Sequence, residues 1–169
     1  WLNGYCMDSV ERNFVSRAFT SGEQNAINTT TITNDSYIKY GALGGKCIRD
    51  KIFLLSEKEV SSYSYGFAND SGVYDEARRC KSSMFAKAMG LYSDARSLYT
   101  GNCWWWLRSP GYRADYAANV DKYGSVTYDG YYVNKDYYAV RPALHLDLSS
   151  SDIYTYAGTV CSDGSEDNL

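Results

Sequence analysis

The sequence predicts an α+β fold, with helices in the N-terminal half and a short-stranded antiparallel sheet in the C-terminal third. Capping signals and apolar residues at helical spacing all lie before Leu91. From Tyr116 to Leu146 the pattern changes to short alternating runs broken by glycine-containing turns. With 44% hydrophobic and 22% charged residues over 169 positions, the chain can build one core and has little room for a second.

Val10, Phe14, Val15 and Ala18 recur at helical intervals, so a helix over 8–18 is expected to pack one face on the core. Thr20-Ser21-Gly22-Glu23 has the capping-box spacing, and Ala26 and Ile27 supply the apolar side of a short helix over 21–27. "DKIFLLS" (50–56) is a continuous apolar run between polar residues, the pattern of a buried strand. Ser56 can cap a turn of helix containing Glu57, Lys58 and Glu59. "DEARRCKSSMFAKAMG" (75–90) opens on acids, carries Arg and Lys through its middle and ends on Gly90. One or two short helices with a glycine stop are expected there.

In the C-terminal third, "YAANVD" (116–121), "SVTY" (125–128), "YYVN" (131–134) and "AVRPALHL" (139–146) read as strands. Lys122-Tyr123-Gly124 suits a three-residue turn, and Asp129-Gly130 reads as a two-residue hairpin turn. Alternation then puts Ala118, Val120, Val126 and Val133 on a core face. Asn119, Asp121, Thr127, Tyr132 and Asn134 fall on the opposite face, free for a ligand. After about Leu148 the composition turns to Ser, Asp and Gly. Residues 149–169 are expected to form an acidic, partly disordered tail in which Ile153, Tyr154 and Tyr156 could still pair as a short strand.

Charge and composition exclude several function classes. A net charge of −3, with no run of Lys or Arg, gives no electrostatic footprint for nucleic acid or an anionic membrane. No apolar stretch approaches the roughly 20 residues of a membrane span, so no membrane insertion is expected. The chain opens on Trp1-Leu2-Asn3-Gly4 without an initiating Met, the pattern of a chain lacking an upstream segment. Five cysteines, Cys6, Cys47, Cys80, Cys103 and Cys161, are scattered, odd in number and without a CxxC. They read as mostly reduced thiols, with one or two bridges open to an exported protein. "GALGGK" (41–46) is one residue short of a phosphate-binding loop and is followed by Cys47, so it reads as a flexible loop. Asn28-Thr29-Thr30, Asn34-Asp35-Ser36 and Asn69-Asp70-Ser71 fit the glycosylation pattern and read as polar loops. His145, the only histidine, falls on an alternating run and reads as a surface or edge residue; no cofactor and no metal is expected.

Two arrangements stand out. "WWWLRSP" (104–110) sets three tryptophans beside Arg108 and Pro110, and Arg141-Pro142 repeats the Arg and Pro later. In an extended segment Trp104 and Trp106 point one way and Trp105 the other, so the run suits a segment buried on both sides at the floor of a site. Arg108 and Arg141 read as planar clamps on loop carbonyls or a carboxylate, with the prolines fixing the chain beside them. Between these motifs lie Tyr112, Arg113, Asp115, Tyr116, Asn119, Asp121, Tyr123, Tyr128, Asp129, Tyr131, Tyr132, Asn134, Asp136, Tyr137 and Tyr138. Strand preference alone accounts for tyrosine in a sheet, but adjacent pairs beside Asn and Asp have the composition of a paratope.

The string "WWWLRSPG…AANV…GSV…V…AVRPALHL" closely resembles a bacterial domain family of uncharacterised function, typically written WWLRSPG…AA.V…G.V…GVRPAL.L. The likeness extends upstream through "WLNGYC…RAFTSGEQNAI", "DKIFLLSEKEV" and "DEARRCKSSMFAKAMG" and covers nearly the whole chain. Members of that family usually carry strands before the WLN segment, so a preceding segment or another chain is expected to complete the sheet.

The final strands are similar to the C-type-lectin-like fold, as in formylglycine-generating-type enzymes and the variable proteins of diversity-generating retroelements. The resemblance implies a single domain over 1–148. It further implies a bacterial or phage context, at a cell surface, secreted or on a phage particle, and a protein or glycan ligand on another cell or particle.

Noncatalytic recognition by residues 112–138 is the leading expectation. A calcium-dependent lectin is disfavoured, since neither a dense carboxylate loop nor the EPN and WND signatures occur. The alternatives are a formylglycine-generating-type enzyme relative, for which no nucleophile, base and orienting group can be assembled, and a fixed carbohydrate-binding or interaction module.

Overall fold

Each α-helix among the described residues starts where a side chain takes up a backbone N–H group that the first turn leaves free. A computed structural model describes residues 2–3, 13–95 and 98–149, together with the backbone pairing of Thr159–Val160 with Glu166–Asp167. Asn13 caps α1 (Phe14–Ala18) by accepting from the Ser16 N–H. The expected helix over 8–18 is confirmed only in this part, since residues 8–12 lie outside those described. Thr20 and Glu23 close the capping box of α2 (Ser21–Ala26), with the Thr20 N–H donating to Glu23 at 2.7 Å. Ser56 and Glu59 repeat the device on α3 (Glu57–Val60). Asp75 caps a 3-10 turn over Glu76–Arg78, and Ser83 caps α4 (Met84–Ala88), which ends two residues before Gly90 at φ +96°.

The architecture is mixed α+β, with short helices mainly in the N-terminal half and an antiparallel three-stranded sheet in the C-terminal part. β1 (Thr30–Ile32) and β2 (Ile48–Asp50) form a separate two-stranded ribbon. β3 (Trp105–Pro110), β4 (Tyr116–Val120) and β5 (Val126–Tyr132) make the main sheet in the order β3-β4-β5. Under one face lie Ile32, Phe53, Leu55, Val60, Phe67, Trp105, Leu107, Ala118, Val120 and Val126. A smaller cluster of Val15, Ile27 and Ile52 joins α1 and α2 to the chain after β2.

The expected strand over 50–56 is buried as its composition demands but is not a strand. Asp50 is the last residue of β2, and beyond it only Phe53 pairs, through a single bridge to Ala143, while the Leu54 and Leu55 carbonyls instead accept from Arg108. Segment 139–146 is likewise no continuous strand. It touches the fold at three bridges, Ala139 to Trp105, Ala143 to Phe53 and Leu146 to Ile27. His145 is half-buried rather than at the surface, its Nδ1 3.0 Å from the Thr30 hydroxyl and its ring against Phe53. The segment containing Ile153, Tyr154 and Tyr156 lies outside the described residues.

The Lys122-Tyr123-Gly124 turn forms as expected, with the Asp121 carboxylate accepting from the Tyr123 and Ser125 N–H groups. Asp129-Gly130, however, is not a hairpin turn. β5 runs straight through it, and pairs change from Asn119–Thr127 to Ala117–Tyr131, so Ala118 alone faces Tyr128, Asp129 and Gly130. This is a β-bulge, and it requires glycine at 130, where φ is +75° and a Cβ would sit 2.3 Å from the Ala117 carbonyl oxygen. β3 bulges against the same alanine, between Trp106 and Pro110. Because the bulge uses up the dipeptide, Tyr131 and Tyr132 stay in β5 while Val133 begins the next turn, 57% exposed instead of in the core.

A candidate binding surface

The three tryptophans divide their work by strand alternation. Trp105 is fully buried, and its indole N–H donates to the Arg78 carbonyl at 3.0 Å. The Arg141 guanidinium lies 5.1 Å from its ring, with one long contact to the Ala77 carbonyl at 3.4 Å. Burying an indole of roughly 200 Å² contributes on the order of 5 kcal/mol before ordering costs. Trp104 and Trp106 face the other way and are half-buried. Trp104 stacks on Tyr92 at 4.1 Å and 9°, and Tyr138 lies over Trp106 at 4.1 Å and 18°. Tyr138 also reaches Trp104 at 5.5 Å, so one phenol joins both indoles. Desolvation, followed by the neighbouring Tyr137 and Tyr131, pushes the Tyr138 hydroxyl up to about 12 and keeps it a neutral donor.

From Tyr138 the rings continue without a break. Tyr131 follows at 6.1 Å, then Tyr132 at 5.6 Å, Tyr116 at 4.4 Å and Tyr112 at 4.7 Å. Tyr112 meets Tyr40 at 5.9 Å, Tyr40 meets Tyr37 at 5.1 Å, and Tyr37 ends against Tyr128 at 6.4 Å. Most of these contacts are edge-on or tilted, the arrangement favoured by ring quadrupoles. Arg113 crosses the belt between Tyr116 and Tyr132 and is held by Asp115 at 3.0 Å. Tyr128 and Tyr131, at 39% and 38% exposure, show their rings to solvent while the belt orders them.

Arg108 holds the strand beneath this belt. Its guanidinium donates to the Thr33 carbonyl at 3.2 Å and the Leu54 carbonyl at 2.7 Å, and makes a two-pronged pair with the Glu59 carboxylate. Its backbone N–H takes the Leu55 carbonyl at 3.0 Å. Burial alone would raise the Glu59 carboxyl, but hydrogen bonds from Arg108 and Ser56, with the Arg108 charge, hold it below its ordinary value. Of the remaining frame residues, Pro110 ends β3 opposite Ala117 and Pro142 is exposed.

The structure gathers some of the residues singled out by composition and disperses others. Tyr112, Arg113, Asp115, Tyr116, Tyr128, Tyr131, Tyr132, Tyr137 and Tyr138 share the belt. Asp129 lies in the bulge, where its carbonyl accepts from the Tyr112 N–H at 3.0 Å. Asn134 is exposed in the turn after β5, and Asp136 lines a cavity of about 200 Å³ beside Tyr138.

Three residues belong elsewhere. Asn119 is buried at 3% exposure opposite Trp106, not on a free face, because the Trp106–Tyr138 stack covers that side of the sheet. Asp121 is occupied by its turn, and Tyr123 packs with Tyr74 and Tyr99 in a separate cluster. Sequence reasoning missed Tyr37, Tyr40 and Tyr92. Their only signal was tyrosine content outside the suspected stretch, and nothing local tied them to it.

Among the described residues no cluster of His, Cys, Asp and Glu could hold a metal ion, and no helix is long and apolar enough to cross a membrane. No curated protein and no solved structure matches the chain. Residues 1–148, carrying the tryptophan run, the Arg108 clamp and all of the belt, match the family model described as a domain of unknown function (DUF6273), and the chain belongs to that family.

Proposed function

We propose that this chain is a noncatalytic ligand-binding domain of receptor or adhesion type, with a C-type-lectin-like fold. Its binding surface is the belt formed by residues 112–138 and completed by Tyr37, Tyr40 and Tyr92. The observation that carries this reading is the unbroken run of ring contacts from Tyr92 to Tyr128, partly open to solvent and crossed by the Arg113–Asp115 pair. Tyrosine offers a large rigid contact area at little entropic cost, and neighbouring Arg, Asp and Asn add adaptable hydrogen bonds. The cavities beside the belt, about 50 and 200 Å³, are smaller than the roughly 300–1,000 Å³ of small-molecule sites. A broad face of this kind suits a protein or glycan on another cell or particle.

Retroelement-directed variation of this surface is part of the proposal. Exposed positions in the stretch include Tyr112, Arg113, Tyr128, Asp129, Tyr131, Asn134 and Asp136, whereas Gly124 and Gly130 leave no room for a Cβ and Ala118, Val120 and Val126 are buried. Variation limited to the exposed positions would leave the frame intact.

The test is deep sequencing of codons 112–138 in the source population, with a search for a nearby template copy and reverse transcriptase. Substitutions confined to template adenines and to exposed positions support a diversified receptor. An invariant stretch removes diversification. Screening the protein on glycan arrays and in partner pull-downs, with Tyr131→Ala and Tyr138→Ala alongside, then decides the binding reading. Ligand retention by both variants would overturn the belt as the binding surface.

A further inference from the structure

Cys80 and Cys103, 23 positions apart, face each other across an antiparallel bridge centred on Lys81 and Asn102. The Cys103 N–H donates to the Cys80 carbonyl at 2.9 Å, and the Ser82 N–H to the Gly101 carbonyl at 2.9 Å. In that register the two cysteines are directly opposed, so their side chains leave the same side of the ribbon. A hydrogen-bonded antiparallel pair spaces its Cα atoms by about 5.5 Å, inside the roughly 4.4–6.8 Å that a disulfide spans. The Cys103 thiol has one proton to donate, either to the Cys80 carbonyl, 3.2 Å away, or to the Cys80 sulfur. Both thiols are free, Cys80 partly exposed and Cys103 wholly buried.

We propose that Cys80 and Cys103 are a dithiol–disulfide couple that reacts with low-molecular-weight disulfides, Cys80 attacking first and Cys103 resolving. The site is independent of the ligand-binding reading.

The asymmetry of the pair sets the order. The hydrogen bond from Cys103, and then the Arg141 charge, outweigh burial and draw the Cys80 thiol down to about 7, while the same contact and burial push Cys103 up. The accessible sulfur is therefore also the one that supplies thiolate near neutral pH. Cys80 thiolate attacks one sulfur of RSSR, forming a Cys80–S–S–R mixed disulfide and expelling RS⁻, which takes a proton from solvent. Cys103 then gives its proton to solvent and attacks the Cys80 sulfur, closing the Cys80–Cys103 bond and releasing the second RS⁻. Two protein thiols lose two electrons, and one RSSR becomes two RSH. The bond would tie the segment after the 3-10 turn, whose Arg78 carbonyl holds Trp105, to the residue just before Trp104.

The experiment exposes the reduced, folded full chain to oxidised glutathione, blocks remaining thiols with N-ethylmaleimide and maps the peptides by mass spectrometry. Exposed Cys47 reports reagent access. The expected result is a Cys80–Cys103 linked peptide with no glutathione left on Cys80, while Cys103→Ser retains glutathione on Cys80. Glutathione persisting on wild-type Cys80, or both cysteines unmodified while Cys47 reacts, would overturn the proposal. Should Cys103→Ser fail to fold, alkylation of the wild type decides. Cys80 labelling that climbs through about pH 7, with Cys103 protected, supports the assigned order, and equal labelling of both overturns it.

Discussion

The two faces of β3 use the same side chain for opposite ends. On the core face Trp105 is sealed, its indole N–H bonded to Arg78 and its ring beneath Arg141. On the outer face Trp104 and Trp106 keep part of their rings in solvent and lean on Tyr92 and Tyr138. One face is locked by burial and a hydrogen bond; the other is ordered by stacking on rings that are themselves half-buried. On the proposed binding role, substitutions on the two faces should separate stability from binding.

The largest effect should come from Trp105→Ala, at about 3–5 kcal/mol by denaturant unfolding, because it opens a cavity and leaves the Arg78 carbonyl unmet. Trp106→Ala, half-buried, should cost less than half as much. Equal losses would erase the distinction between the faces.

Next comes the clamp. Arg108→Ala strands the largely buried Glu59 carboxylate and frees two carbonyls, an expected loss of about 3 kcal/mol. The pair also sets a pH dependence. A carboxyl held below its unfolded value near 4.5 contributes stability that is fully present above that pH and lost as pH falls through the folded value. Wild type should therefore lose more stability on acidification below about pH 4.5 than Glu59→Gln, and the two should run parallel at neutral pH. Melting curves across pH 2–7 check this, and parallel curves throughout would mean that the pair contributes nothing.

Gly130 sits in the bulge immediately before Tyr131 and Tyr132, so it links the strand backbone to the belt. Gly130→Ala should cost about 2 kcal/mol from its left-handed backbone and the close Ala117 carbonyl, and should weaken ligand binding as well. Loss of stability with unchanged binding would uncouple the bulge from the surface.

Bulge and hairpin also mark where sequence reading reached its limit. Asp-Gly signals a positive φ at the glycine in either case. What distinguishes them is that Tyr131 and Tyr132 go on pairing with Ala117 and Tyr116 across the sheet, which no local window contains. The capping boxes at Thr20 and Ser56 were legible because donor and acceptor lie three residues apart. The 50–56 run declared its burial but not its partner, a guanidinium 54 positions away. The belt was half legible for the same reason. Composition exposed its C-terminal part, but Tyr37 and Tyr40 join through Tyr128 and Tyr112, and Asn119 keeps the face that alternation gives it yet is buried, because Tyr138 stacks on its partner Trp106. Cys80 and Cys103 lacked a CxxC spacing because they meet across a bridge rather than along a turn.

The smallest stability effect should fall on the belt's open rings. Tyr131→Ser removes a ring that packs on other rings of the belt and is 38% exposed, so unfolding should shift by no more than about 0.5 kcal/mol. Binding should respond quite differently. A solvent-facing tyrosine at the centre of a paratope is where affinity concentrates, and its loss should weaken a ligand about tenfold or more, measured by calorimetry on whichever glycan or protein the screens identify. A large stability loss would make Tyr131 part of the frame. Unchanged stability with unchanged affinity would make the belt a cover for the sheet rather than a surface for recognition.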